Sequence, residues 1–222
     1  MIWLTLFTLY ALLVGMLYQI PTWMQRLYRG VTWRRVTHGE RVVYLTFDDG
    51  CIPQVTPAIL DVLVKYGVKA TFFMVGENIQ KYPQLYARVV AEGHRVGNHT
   101  YHHCKGSKCS TEQYMREVDA CEQAIMQNNP HRLFRPPYGK MKPSQKRAVL
   151  ARGYEIVLWD VLTHDYNSRY TPERMLKIVQ KYTRDGSIIN FHDSLKSAQR
   201  TIDVLPQVIE WLQAEGYAIQ TL

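Results

Sequence analysis

Seven short runs dominated by Val, Ile, Leu, Phe and Tyr recur along the chain, at 42–47, 69–75, 94–98, 132–135, 154–159, 187–191 and 217–221. Their length and their β-branched or aromatic content predict strands. Between them the apolar positions recur with a helical period, and several helix starts are legible. Thr56-Pro57 and Thr171-Pro172 pair an N-capping residue with proline at the first helical position, Pro83 and Pro143 suit that same position, and Ser110 with Gln113 fits a capping box. Gly67, Gly93, Gly153, Gly186 and Gly216 stand just past predicted helices, where the left-handed stop conformation favours glycine. Strand and helix alternate without an internal repeat, which predicts a parallel α/β sheet covered by helices, either open or closed into a barrel. In both arrangements the functional groups are expected at the carboxyl ends of the strands.

The N-terminus breaks this pattern. The first twenty-five residues carry no charged side chain and the first twenty are mostly apolar, about the length of a membrane-crossing helix. No basic residue precedes Arg26 and no small-residue cleavage site lies near Gln19-Ile20-Pro21, so residues 1–22 are expected to be an uncleaved N-terminal hydrophobic helix that anchors the chain. A signal sequence and an apolar helix packed on the domain are the alternatives. Residues 23–40 read as a basic linker and 41–222 as one globular domain, for which 46 % apolar content in 222 residues is sufficient.

Composition adds little more. The 27 Lys and Arg against 19 Asp and Glu leave a formal charge of +8, which suits anionic headgroups or acidic envelope polymers, or a scattered solvated surface. Without an RNA or DNA motif, nucleic acid is not an expected partner. Cys51, Cys104, Cys109 and Cys121 include no C-x-x-C pair, so no structural zinc site is expected and disulfides stay open.

The polar residues that follow the predicted strands carry the chemistry. Asp48 and Asp49 follow the first, His99 and His103 the third, Arg135 the fourth, Asp165 the fifth and His192 the sixth. All fall at one end of the sheet, whereas residues present only for solubility would occur at both. His99 and His103, four apart, are expected to share one face of a helical turn as a metal site requires. With a carboxylate they would leave coordination positions open, which is the composition of a catalytic metal centre. Successive side chains of an extended segment diverge, so Asp48 and Asp49 are expected to divide their labour, one on a metal and one as a base.

In this order and spacing, TFDDG (46–50), HTYHH (99–103), RPPYG (135–139), WDVLTHDY (159–166) and INFHDS (189–194) resemble the successive motifs of the polysaccharide deacetylase family, also called the NodB-homology domain or carbohydrate esterase family 4. The resemblance covers roughly residues 41–222. It implies a distorted (β/α) barrel of about seven parallel strands, and a hydrolase that removes N-acetyl groups from amino sugars of a peptidoglycan-like or chitin-like glycan. It further implies Asp49, His99 and His103 as ligands of a divalent cation, usually zinc, and Asp48 as the general base. His192 would be the general acid, with Asp165 on its far nitrogen, Arg135 orienting the base and the Tyr138 backbone N–H on the oxyanion. Three positions depart from the family pattern: Cys51 stands where proline is common, Tyr166 where tryptophan is usual, and Asn190 where an apolar residue often lines the acyl pocket. The other histidines, His38, His94, His102, His131 and His164, need no function.

Two further readings accompany the leading one. The anchor and basic linker suit a deacylase of lipid-linked saccharides, and a catalytically inactive carbohydrate-binding module is the reading outside enzymology. Retention of every expected base, acid and ligand argues against the inactive module. The domain is expected on the external face of the membrane, with the cytoplasmic face as the alternative favoured by positive flanking residues.

Overall fold

A computed structural model describes residues 30–126 and 128–222, together with Gln19 and Gln25. The hydrophobic helix expected over 1–22 otherwise lies outside the described residues, among which no helix is long and apolar enough to cross a membrane. Gln19 and Gln25 both donate through Nε2 to Asp160, at 3.2 and 3.1 Å.

Among the described residues nine strands form one sheet: β1 Val31–Thr32, β2 Val42–Asp48, β3 Thr71–Met74, β4 Arg95–Asn98, β5 Leu133–Phe134, β6 Glu155–Val157, β7 Val161–Leu162, β8 Ile188–His192 and β9 Ala218–Gln220. The helices are α1 Thr56–Lys65, α2 Gly76–Lys81, α3 Pro83–Ala91, α4 Thr111–Ile125, α5 Pro143–Ala151, α6 Pro172–Tyr182 and α7 Ala198–Ala214. The strand order is β1-β6-β5-β4-β3-β2-β8-β7, with β9 beside the start of β2. These strand pairs are all parallel. β7 ends that path and β6 stands next to its other end, inside β1, yet only residues 158–160 separate the two in sequence. The chain therefore brings β7 within about 14 Å of β6, and the parallel sheet curls into a (β/α)-barrel-like half-barrel.

The seven expected strands are present. β1 falls in the stretch read as linker: Val31 and Thr32 pair with Ile156 and Val157, and the neighbouring Trp33 is buried. β2 is central, and its residues are buried on both faces apart from the half-buried Tyr44. Leu45 and Phe47 point to the covering helices, and Phe47 stacks on Phe72 and Phe191 at 5.0 and 5.7 Å. Each fully buried side chain of this kind contributes about 1.5–3 kcal/mol relative to exposure. The alternate positions, Thr46 and Asp48, point into the barrel with the smaller cluster of Phe73, Leu133, Val157 and Ile188.

Helix starts follow the sequence with one exception. Ser110 closes its capping box with Gln113, and Thr171 Oγ1 accepts from the N–H of Arg174. Thr56, however, is the first helical residue rather than the cap, because its hydroxyl is committed to Asp193 Oδ2 at 2.7 Å. Gly186 belongs to the turn entering β8, where φ is +79° and a Cβ would stand 1.9 Å from the Arg35 carbonyl oxygen.

Candidate active site

β2 delivers the two adjacent carboxylates and then turns. Asp48 is its last residue, while Asp49 has left the extended conformation with φ 88°. Asp49 N–H donates to the Phe73 carbonyl at 3.2 Å and its own carbonyl accepts from Asn78 Nδ2 at 2.8 Å. The turn sends Asp48 into the barrel toward Arg135 and Asp49 toward the histidines, the divergence expected of neighbouring positions.

Asp49 Oδ1 is buried and has no hydrogen-bond partner. His103 Nε2 faces it at 3.3 Å and His99 Nε2 at 3.7 Å. One ligand atom from each of the three residues lies within 4.8 Å of the others, the group among the described residues suited to hold a metal ion. His99 Nδ1 lies 2.7 Å from the Arg135 carbonyl, and a carbonyl only accepts, so Nδ1 carries the proton and Nε2 presents its lone pair. Burial then pushes the His99 imidazolium down to about 4, leaving a neutral ligand. An orphaned carboxylate oxygen beside two imidazoles is costly alone and is relieved by a cation, so these residues fit a divalent metal.

The histidines are not carried by a helical turn. The 99–103 segment is a loop, with positive φ at Thr100 (63°) and His103 (54°). Asn98 shapes it from the end of β4, its Oδ1 accepting from the Thr100 N–H at 3.0 Å and its Nδ2 donating to the Val118 carbonyl at 2.8 Å. The rings of His99 and His103 end 5.1 Å apart.

Arg135, after β5, is wholly buried. Its Nη1 reaches Asp48 Oδ1 at 2.7 Å, Thr46 Oγ1 at 2.8 Å and Asn190 Oδ1 at 2.6 Å, while Nε and Nη2 donate to the Val157 and Leu158 carbonyls. Burial alone would raise the Asp48 carboxyl, but the charges of Arg135, His99 and His192 hold it below its ordinary value. Asn190 corrects the sequence reading. It is fully buried beneath the cleft, where it pairs with Thr46 across the β2–β8 ladder and donates through Nδ2 to Asp48 Oδ2 at 3.2 Å. It braces the carboxylate and does not line an acyl pocket.

His192 is the ladder partner of Asp48. Its Nδ1 lies 2.7 Å from Asp165 Oδ1, and Asp165 Oδ2 also accepts from Thr201 Oγ1 at 2.8 Å. Burial disfavours the imidazolium, yet the adjoining Asp165, with Asp48 and Asp49, raises it to about 9. Asp48, Asp49, His99, His103 and His192 share one cleft of about 670 Å³, walled by Tyr138, Trp159, Leu162, Tyr166 and Leu195. Tyr138 sits in a left-handed turn (φ 61°) with its ring 4.7 Å from that of His103. Tyr166 meets His192 edge-on at 5.2 Å.

Sequence reasoning missed Asn98, Asp193 and the bracing role of Asn190. Asp193 accepts from the Gly50 N–H at 2.8 Å and from Thr56 Oγ1, tying the double-aspartate turn to β8 and α1. A Cβ at Gly50 would stand 2.0 Å from its carboxylate. The rule that found the other site residues, polar groups at carboxyl ends of strands, covers Asn98 and Asp193 as well.

A family model described as polysaccharide deacetylase matches residues 35–157. A peptidoglycan-N-acetylglucosamine deacetylase of Bacillus cereus is 33 % identical over 195 residues, covering 86 % of this chain and 91 % of that protein. A chitooligosaccharide deacetylase of Bradyrhizobium sp. is 35 % identical over 198 residues, covering 83 % and 90 %. Among solved structures, the Bc1960 peptidoglycan N-acetylglucosamine deacetylase superimposes with a TM-score of 0.82 at 31 % identity, over 90 % of this chain and 94 % of that one.

Proposed function

Since the chain belongs to the polysaccharide deacetylase family and is a hydrolase of amide bonds, we propose that it removes the N-acetyl group from amino sugars of a peptidoglycan-like or chitin-like glycan, releasing acetate. The observation that carries this reading is the placement of Asp48 and His192 as ladder partners beside the Asp49, His99 and His103 cluster in one cleft. A divalent cation held by those three residues, zinc by preference, would supply the positive charge that acidifies water and stabilises a developing oxyanion.

The chain's own groups supply the rest. Asp48, kept ionised and oriented by Arg135 and Asn190, accepts the proton of the attacking water. His192, protonated through Asp165, donates to the departing amine, which without that proton is a poor leaving group. The Tyr138 backbone N–H is assigned to the oxyanion, and the aromatic walls at Trp159 and Tyr166 hold the sugar against water. The uncharged N-terminal stretch supports a membrane anchor, and an envelope glycan as substrate favours the outer face, against the positive flanking residues, which by themselves favour the cytoplasmic side.

Acetate release from a panel of N-acetylated glycans, measured with and without chelator, tests the proposal. Release from the wild type should stop in chelator and return with zinc, and His103→Ala should lose bound metal together with rate. Full turnover in chelator, or no acetate from any glycan of the panel, refutes it.

The pH profile tests the acid separately. His192 is held protonated up to about 9, so the rate should fall as pH rises through that value. Asp165→Asn removes the main charge holding the proton while the burial that opposes it remains, which moves the alkaline limb down toward or below the ordinary 6.5. The loss at pH 8.5 should then exceed that at pH 6 by about tenfold or more. An unmoved alkaline limb assigns the proton to another group.

A further inference from the structure

Cys104 and Cys109 flank a short turn, Gly106–Lys108, directly after His103. Their sulfurs face each other at 3.2 Å, against about 2.05 Å in a disulfide, so a small side-chain rotation would join them. The contact is imposed from both sides. Cys104 is fixed by its N–H donating to Thr100 Oγ1 at 2.9 Å. Cys109 is fixed from α5, where Lys142 Nζ donates to its carbonyl at 2.7 Å and Gln145 Nε2 donates to the Gly106 carbonyl at 2.8 Å. Both cysteines are partly exposed, whereas Cys51 and Cys121 are buried apart from them. Lys105, between the two, lies with its Nζ 5.5 Å from the Tyr138 ring centroid.

We propose that Cys104 and Cys109 form an intrachain disulfide that braces the turn carrying His103. It forms by exchange with an external small-molecule disulfide. One protein thiolate attacks a sulfur of the oxidant and releases one equivalent of its thiol. The second protein thiolate then attacks the mixed disulfide and releases the other. Two protein thiols are thereby oxidised, one external disulfide is reduced to two thiols, and the protein gains one S–S bond. An oxidising compartment outside the cytoplasm supplies such partners.

The bond can be read directly, because trypsin cuts after Arg95, Lys105, Lys108 and Arg116. The full-length protein, incubated with oxidised or reduced glutathione, alkylated without reduction and digested, should yield peptides 96–105 and 109–116 linked only in the oxidised sample. The linked pair should be absent from Cys104→Ser and from Cys109→Ser. Closing so short a loop should raise the unfolding midpoint of the oxidised wild type by about 4–9 °C, a rise missing from both variants. Glutathione adducts or full alkylation of both cysteines without a linked pair overturn the proposal, and a linked pair with an unchanged midpoint overturns the bracing. Neither readout uses substrate or metal, so failure here leaves the deacetylase reading standing, and failure of that reading leaves the bond.

Discussion

Asp48→Asn should lower turnover by about 10²–10⁴-fold while the protein still takes up one equivalent of a divalent cation. The two halves of this expectation have separate origins. The amide cannot accept the proton of an attacking water, but it leaves Asp49, His99 and His103 untouched, and Asp49 is turned away from its neighbour by a positive φ. Asp49→Asn should behave oppositely, because it replaces the orphaned anionic oxygen between the two imidazoles with a neutral group and so weakens metal uptake itself. Metal content by elemental analysis after dialysis, set beside initial rates, separates the two. Equal loss of metal in both variants would show that the adjacent aspartates share one role.

Arg135→Met should be the most damaging substitution for folding. Arg135 and Asp48 are both buried and bridge at 2.7 Å, and the guanidinium also lies 4.0 Å from the Phe73 ring centroid and donates to two backbone carbonyls. Removing one partner strands a buried carboxylate, at a cost of about 3–5 kcal/mol, equivalent to a midpoint about 6–20 °C lower for a chain of this size. The pH dependence identifies the cause. Asp48 is held below its ordinary 3.8, so the stability it contributes in the wild type is present above that value and is lost as pH falls through its folded pKa. The deficit of the variant should therefore be large near neutrality and shrink in acid, where the stranded carboxyl is protonated. A deficit independent of pH would point to lost packing instead of lost charge pairing.

Long strands and capped helices were legible because each carries its own periodicity, as 42–47 and the Ser110 capping box do. β1 and β7, two residues each, were not, since each is extended because neighbours on the sheet pair with it, whereas the equally short β5 stood out as a buried apolar pair before Arg135. Site residues were legible where one rule sufficed, polar groups at the carboxyl ends of strands. The spacing of His99 and His103 suggested a helix, but positive φ at Thr100 and His103 brings the rings together from a loop, and only the Asn98 side chain reveals why. Asn190 required the pairing of β2 with β8, a contact between residues 144 apart in sequence that no local pattern encodes.

The Asp48–His192 register has a consequence for how such a chain can change. The two residues proposed as base and acid sit on hydrogen-bonded neighbouring strands, so the separation of their backbones is set by the inter-strand spacing of about 4.8 Å and needs no domain closure to assemble. The residues that wall the cleft, Tyr138, Tyr166 and Leu195, come from the connections that follow β5, β7 and β8. Insertions and exchanges in those connections can reshape what the cleft admits without disturbing the route of the proton. A one-residue deletion within β2 or β8, by contrast, would turn base or acid to the opposite face of the sheet. Selection for new glycans therefore has free play in the loops and almost none in the two strands.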